Sequence, residues 1–251
     1  MSGAAEGQET VATAAAGMGG GATALLAFDG LAGGYGDTVV LRGVGGAVGT
    51  GEVLGILGRN GVGKTTLLRL LMGYLAPVAG SVHWRGQPLG TLPTHARRRL
   101  GMSYAPQEGL VFDPLTVREN LTLHRGDRTL APYEALLAAF PRLAERLDQR
   151  AGTLSGGEKK LLSFCRAIAD DAPLTLLDEP SEGIQQENLD RMGRFIRARR
   201  ARGAAFVIVE QNLAFLLATM DHALVLDHGE RVLSGRAADL PRSALEAHLT
   251  V

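Results

Sequence analysis

The sequence predicts an α/β fold built around a phosphate-binding loop, with a helical segment inserted between two β-rich parts. Three observations predict it. First, Gly58-Arg59-Asn60-Gly61-Val62-Gly63-Lys64-Thr65-Thr66 fits G-x-x-x-x-G-K-[ST], with an apolar run over Val53–Leu57 before it and a helix-forming run over residues 67–72 after it. Second, Leu174-Thr175-Leu176-Leu177 and Ala205–Val209 are continuous apolar runs; the first ends in two carboxylates, Asp178-Glu179, and the second at Glu210-Gln211-Asn212. Parallel strands covered on both faces read this way. Third, residues 108–150 are more polar and more helical than their flanks.

Composition bounds the rest. A chain of 251 residues holds one large domain, or a domain with a subdomain. The 26 basic and 26 acidic residues cancel, so no basic surplus points to nucleic acid as a partner. The single cysteine, Cys165, rules out an intrachain disulfide framework and reads as core, and the six scattered histidines show no zinc-ligand spacing. No apolar run is long enough to span a bilayer. Residues 1–22 are rich in Ala and Gly without a basic start, and read as a disordered tail rather than a signal peptide; the chain is expected to act in the cytosol.

The elements follow in order. Residues 24–28, 38–41 and 53–57 read as strands separated by glycine turns. One turn, Gly34-Tyr35-Gly36-Asp37, carries an aromatic ring. Such rings more often pack than bind, but a phosphate loop downstream makes stacking on a nucleotide base the stronger reading of Tyr35. In the loop at 58–66, glycines let the backbone turn tightly so that N–H groups face phosphate oxygens, and the following helix adds its positive end. Lys64 suits the β- and γ-phosphates, and Thr65 suits Mg²⁺. Residues 81–85 alternate as a strand. Residues 94–100 read as a short helix whose Arg97, Arg98 and Arg99 form a solvated face, and a strand from Met102 runs into a loop at Gln107. Helices are expected over 115–123, 133–140 and 142–150, within a helical subdomain of about 108–165. Leu154-Ser155-Gly156-Gly157-Glu158 then opens a helix with Ser155 as its N-cap, a second surface fit for phosphate. Asp178 is placed to hold Mg²⁺, and Glu179 to orient or deprotonate an attacking water. A helix over 187–202, the strand Ala205–Val209, a hairpin around 227–230 and a helix over 243–249 complete the chain.

The phosphate loop, Gln107, Leu154-Ser155-Gly156-Gly157-Glu158 and the strand ending at Asp178-Glu179 stand in the order and spacing of the ABC transporter ATPases, which the chain resembles over about residues 24–250. The resemblance implies a P-loop NTPase fold with a mixed β core and an antiparallel β subdomain, occupying residues 23–251. It implies two ATP molecules sandwiched in a head-to-tail dimer, with Ser155, Gly156 and Gly157 of one subunit facing the γ-phosphate held by Lys64 of the other. It also implies that Tyr35 stacks on adenine. Gln107 would contact the nucleotide and its Mg²⁺ and link them to the membrane subunits. The implied partners are a second ATPase, two transmembrane permeases and a periplasmic or extracellular binding protein, with the chain peripheral on the inner face of the cell membrane.

Phe140-Pro141-Arg142-Leu143, residues 149–154 and Val209-Glu210-Gln211-Asn212 are similar to the second ATPase of branched-chain amino-acid transporters, and Ser181-Glu182-Gly183-Ile184-Gln185 to its urea and short-chain amide branch. Two positions depart from the general pattern. Gln211 stands where most members carry a switch His, and Gln185 where most carry an Asp. A Gln hydrogen-bonds but takes no proton. The pattern fits a heterodimer whose partner carries the His, with a homodimer as the alternative. A subunit that mainly binds nucleotide as a structural partner is the second reading. A soluble ABC ATPase of repair or translation is disfavoured by the neutral charge and the absence of a long coiled-coil insertion. Lys159 and Lys160 stand where the subgroup tends to have glutamines.

Overall fold

The computed structural model describes residues 24–249; the tail expected at 1–22 lies outside them. In chain order the elements are β1 (Leu26–Tyr35), β2 (Thr38–Val48), β3 (Val53–Leu57), α1 (Lys64–Met72), β4 (Ala79–Trp84), β5 (Gln87–Pro88), α2 (Thr94–Arg99) and β6 (Met102–Ala105). Then come α3 (Val117–Thr122), α4 (Glu134–Ala139), α5 (Pro141–Ala144), α6 (Gly156–Ala169), β7 (Leu174–Asp178), α7 (Gln186–Arg200), β8 (Ala205–Val209), α8 (Leu213–Leu217), β9 (His222–Asp227), β10 (Glu230–Arg236) and α9 (Arg242–Glu246).

Two sheets form. One is antiparallel, in the order β2-β1-β4-β5; the other is mixed, in the order β10-β9-β3-β8-β7-β6. In the second sheet, β3 pairs in parallel with β8 and β9, and β7 in parallel with β6 and β8. Only the β9–β10 hairpin is antiparallel in it. The apolar runs explain why these strands are central. Along β8, Phe206 and Ile208 join one hydrophobic cluster, with the helices of 117–169, α7 and α8. Ala205, Val207 and Val209 join the other, with α1 and the antiparallel sheet. Both faces of the strand are therefore covered, which is what a continuous apolar run requires. Gly55 on β3 leaves room for α8 and the turn after it: a Cβ there would meet Leu216 Cδ2 at 3.2 Å and Met220 Sδ at 2.7 Å.

Cys165 is buried on α6, and burial pushes its thiol well above the ordinary value. Three sequence expectations need correction. The helix expected over 142–150 stops at Ala144, because Leu147 O and Gln149 O accept instead from the Arg118 and Val117 amides and pin that stretch to α3. The short helix α8 was not expected; Asn212 caps it by accepting from the Phe215 amide. Arg97 is not on a solvated face. It is 2% exposed, and its guanidinium donates to the carbonyls of Leu70 (3.0 Å), Leu71 (2.7 Å), Leu92 (2.9 Å) and Gly90 (3.1 Å). It thus serves the end of α1, sharing Leu70 O with the Gly73 amide and supplying Leu71 O.

At the end of α6, Asp170 gathers a bond from Ser103 Oγ (2.8 Å) and contacts with Arg98 Nη2 (3.1 Å) and His124 Nε2 (2.7 Å). Burial alone would raise its pKa, but the bonds from His124 and Ser103 and the charge of Arg98 outweigh it and hold the carboxyl below the ordinary value. A depressed carboxylate contributes stability that is present above its unfolded pKa of about 3.9 and lost as pH falls through the folded value. Asp170→Asn is therefore expected to lower Tm at pH 7 and to flatten the fall of Tm with acidification below pH ~4; thermal melts of both proteins across pH 3–7 check this.

Candidate functional site

The parallel strands set the site. The chain leaves β3 at Leu57, β6 at Ala105, β7 at Asp178 and β8 at Val209, all on the same edge of the sheet. That edge therefore collects the loop at 58–66, Gln107, Glu179 and Gln211, as open parallel sheets do at the carboxyl ends of their strands.

The loop after β3 turns on glycines for steric reasons. Gly58 has φ 149° and a Cβ there would meet Leu226 O at 2.4 Å; Gly63 has φ 105° and a Cβ would meet Leu41 Cδ2 at 2.6 Å. Lys64 opens α1 and is 4% exposed; its Nζ donates to Gly58 O (2.8 Å) and Arg59 O (2.9 Å) and lies 3.4 Å from Glu179 Oε1. The ammonium is thus held inside the curve of the loop. Thr65 Oγ1 donates to Asp178 Oδ1 at 3.1 Å, and Tyr104 OH donates to Asp178 Oδ2 at 3.0 Å. Burial raises the Asp178 pKa above the ordinary carboxylate value and the Glu179 charge adds to it, while the Tyr104 and Thr65 bonds oppose both. A hydroxyl beside a carboxylate is a pair of hard oxygen donors and fits Mg²⁺. Among the described residues, no group of three or more His, Cys, Asp or Glu forms a metal cage. A cation here would therefore draw its remaining ligands from phosphates and water, as Mg²⁺ commonly does.

Glu179 is the point of convergence. Its carboxylate accepts from Gln107 Nε2 (2.7 Å) and Gln211 Nε2 (3.2 Å), beside Lys64. Gln211 Nε2 also donates to Asn60 Oδ1, joining Glu179 to the phosphate loop. The Gln107 amide thus faces Glu179 rather than the Thr65–Asp178 pair. Glu179 has φ 48°, in the left-handed region, and its amide donates to Val209 O at 2.9 Å. A non-glycine residue there carries a backbone cost and is held by its surroundings.

Tyr35 lies at the end of β1, 42% exposed, beside the two-residue turn Gly36-Asp37. Its hydroxyl accepts from Arg69 Nη1 at 2.9 Å, and the Arg69 guanidinium sits 5.7 Å from its ring centroid. Ser155 caps α6 in a reciprocal box: the Glu158 amide donates to Ser155 Oγ (3.3 Å) and the Ser155 amide to Glu158 Oε2 (2.9 Å). Gly157 is small because the loop of 181–184 passes close by; a Cβ would meet Gly183 O at 2.7 Å. Ser155 and Gly157 line a cavity of ≈250 Å³ with Gly183, Ile184, Gln185 and Asn188. Among the described residues, no hydrogen bond or ion pair joins Ser155, Gly156 or Gly157 to Lys64, Thr65, Asp178 or Glu179.

Sequence reasoning missed Tyr104 and Glu210. Glu210 is 2% exposed and accepts from the amides of Ser181 (2.6 Å), Gln211 (3.1 Å) and Asn212 (3.3 Å), pinning the loops after β7 and β8 together. Burial raises its pKa despite those bonds. An acid directly after an apolar strand was the available signal for Glu210; Tyr104 carried none, since an aromatic in a strand is ordinary.

The family model described as "ABC transporter" matches residues 41–182. The high-affinity branched-chain amino acid transport ATP-binding protein BraG of Pseudomonas aeruginosa is 36% identical over 220 residues, covering 86% of this chain and 94% of that one. The lipopolysaccharide export system ATP-binding protein LptB of Acidithiobacillus ferridurans is 34% identical, covering 82% and 88%. Among solved structures, an ATP-binding subunit of an ABC transporter superposes with TM-score 0.79 at 26% identity, covering 90% of this chain and all of that one.

Proposed function

The chain belongs to the ATP-binding subunits of ABC transporters, which hydrolyse ATP to drive transport, and from that premise we propose that it powers an importer for branched-chain amino acids, urea or short-chain amides. The observation that carries this reading is the match to BraG, a protein named for branched-chain amino acid transport, over 86% of this chain and 94% of that one; the inward direction rests on the motif resemblance. Phe140-Pro141-Arg142-Leu143 and Ser181-Glu182-Gly183-Ile184-Gln185 support the substrate class. Relatives named for export are 34% and 33% identical, so direction must be read by experiment.

In this reading Lys64 and the backbone of 58–66 bind the β- and γ-phosphates, and Tyr35 stacks on adenine once Arg69 yields its ring face. Thr65 and Asp178 would hold Mg²⁺, with Gln107 joining when its amide turns from Glu179. A cation held there would offset negative charge developing on the phosphates. Glu179 orients the attacking water and takes its proton. Gln211 keeps the Glu179 carboxylate against the phosphate loop by hydrogen bonding alone. Ser155, Gly156 and Gly157 complete the site of a facing ATPase, a heterodimer partner or, as the alternative, a second copy. Among the described residues no helix is long and apolar enough to cross a membrane, which suits a peripheral subunit on the inner face of the cell membrane that relies on two permeases. Exposed Tyr74, Phe112 and Leu123 around one groove offer the permeases an apolar face. An extracytoplasmic binding protein would deliver the substrate.

The test is transport by vesicles holding the chain with its partner ATPase, permeases and binding protein. ATP-dependent uptake of labelled leucine, urea or acetamide is expected, and extrusion or no movement of all three would overturn the import reading. Gln211 favours a second reading, a nucleotide-binding partner with little hydrolysis of its own, because an amide takes no proton. Turnover by the isolated chain at the pair's rate rules that out.

A further inference from the structure

Lys64, Lys159 and Lys160 are the three lysines of a chain whose other basic residues are all arginine, and Lys64 belongs to the phosphate loop. Lys159 and Lys160 are consecutive on the first turns of α6, so their side chains diverge by about 100°. Lys159 reaches outward to Asp113 at 3.0 Å. Lys160 turns inward: its side chain is 11% exposed, and its Nζ donates to the backbone carbonyl of Glu179 at 3.1 Å and to Glu182 Oε2 at 2.6 Å.

That carbonyl belongs to the residue whose backbone sits in the left-handed region. The Glu179 amide is already fixed on Val209 O. With its carbonyl fixed on Lys160, both peptide groups flanking the Glu179 Cα are tethered, and the direction of its carboxylate toward Lys64, Gln107 and Gln211 follows. A compact ammonium on a flexible stem serves a carbonyl and a carboxylate around one point; a planar guanidinium fork does this less well. The bonds are charge-assisted, which makes them strong enough to offset the backbone cost.

We propose that Lys160 is a positioning residue for Glu179: it holds the Glu179 backbone in its left-handed conformation through the carbonyl, with Glu182 as counter-charge. The same bond ties Glu179 to the helix that Ser155, Gly156 and Gly157 open. A displacement of that helix start thereby reaches the Glu179 backbone through one side chain. The proposal rests on the reading of Glu179 as the group that activates water.

The experiment compares the full-length native chain with Lys160→Met, Lys160→Gln and Lys160→Arg. Hydrogen–deuterium exchange over 179–184 is read first, because it needs no turnover. Lys160→Met is expected to speed exchange there about tenfold, since a lost charge-assisted bond exposes the Ser181 and Ile184 amides to local opening. Lys160→Arg is expected to restore part of the protection. ATP turnover is then read in the assembled transporter: kcat is expected to fall about tenfold with KM for ATP changed less than about twofold, because aim rather than nucleotide binding is lost. Unchanged exchange in Lys160→Met, or a raised KM at unchanged kcat, overturns the proposal. Should Lys160→Met not fold, Lys160→Gln is read in its place: it removes the charge and shortens the reach, and faster exchange over 179–184 supports the proposal while native exchange overturns it. A native complex without turnover counts against the ATPase reading, while the exchange result stands by itself.

Discussion

Glu179→Gln is expected to cut ATP turnover by about 10²–10⁴-fold, the range a positioned general base supplies, with little loss of ATP affinity. The substitution keeps the size of the side chain and removes the group that can take a proton. An amide at this position still accepts through its oxygen, so the bond from Gln211 or from Gln107 survives, but not both. Lys64 keeps its bonds to Gly58 O and Arg59 O, and the phosphate loop keeps its shape. Binding and turnover should therefore separate. Equilibrium nucleotide binding and single-turnover hydrolysis in the assembled transporter measure the two; turnover at the native rate would remove Glu179 from the chemistry.

Arg97→Met should be the most damaging substitution for stability outside the site, costing about 2–4 kcal/mol, since it leaves the buried Leu71 carbonyl without a donor and strips three further carbonyls of a charge-assisted one. Met fills much of the volume and makes none of the four bonds. Arg97→Lys should fare little better, because one ammonium does not reach carbonyls on both α1 and the loop at 90–92. Burial pulls the Arg97 pKa below its ordinary value, yet a guanidinium stays charged at any pH where the protein is folded, so the loss should not depend on pH between 5 and 9. For a chain of this size the Tm should fall by roughly 10 °C. A fall under about 2 °C in thermal denaturation would show that water replaces the guanidinium at those carbonyls.

The individual lines of this site were legible in the amino-acid sequence because each depends on residue type at fixed local spacing. Glycines at 58, 61 and 63 before Lys64-Thr65 specify a loop conformation, and an apolar run before Asp178-Glu179 specifies a buried strand with acids at its end. Ser155 before two glycines and Glu158 specifies a capped helix start, and the structure forms that box. The mixed sheet with its separate antiparallel sheet was reachable only through resemblance, since strand order depends on contacts distant in sequence. Arg97 was misread for a related reason. Three consecutive arginines look alike on a helix, and only the packing of α1 decides which of them turns inward.

Sequence by itself therefore determined the chemical inventory: a loop for phosphate, a lysine inside it, a hydroxyl and a carboxylate fit for Mg²⁺, and a second carboxylate beside them. Tertiary structure decided how that inventory is wired. Parallel pairing of β3, β8, β7 and β6 brings residues from 58 to 211 to one edge. It gives Glu179 three side-chain neighbours, Lys64, Gln107 and Gln211, and gives its backbone a lysine from α6. The physical reason is range. Loop conformation and capping are settled within a few residues, whereas which donor meets which acceptor depends on the register of strands a hundred residues apart.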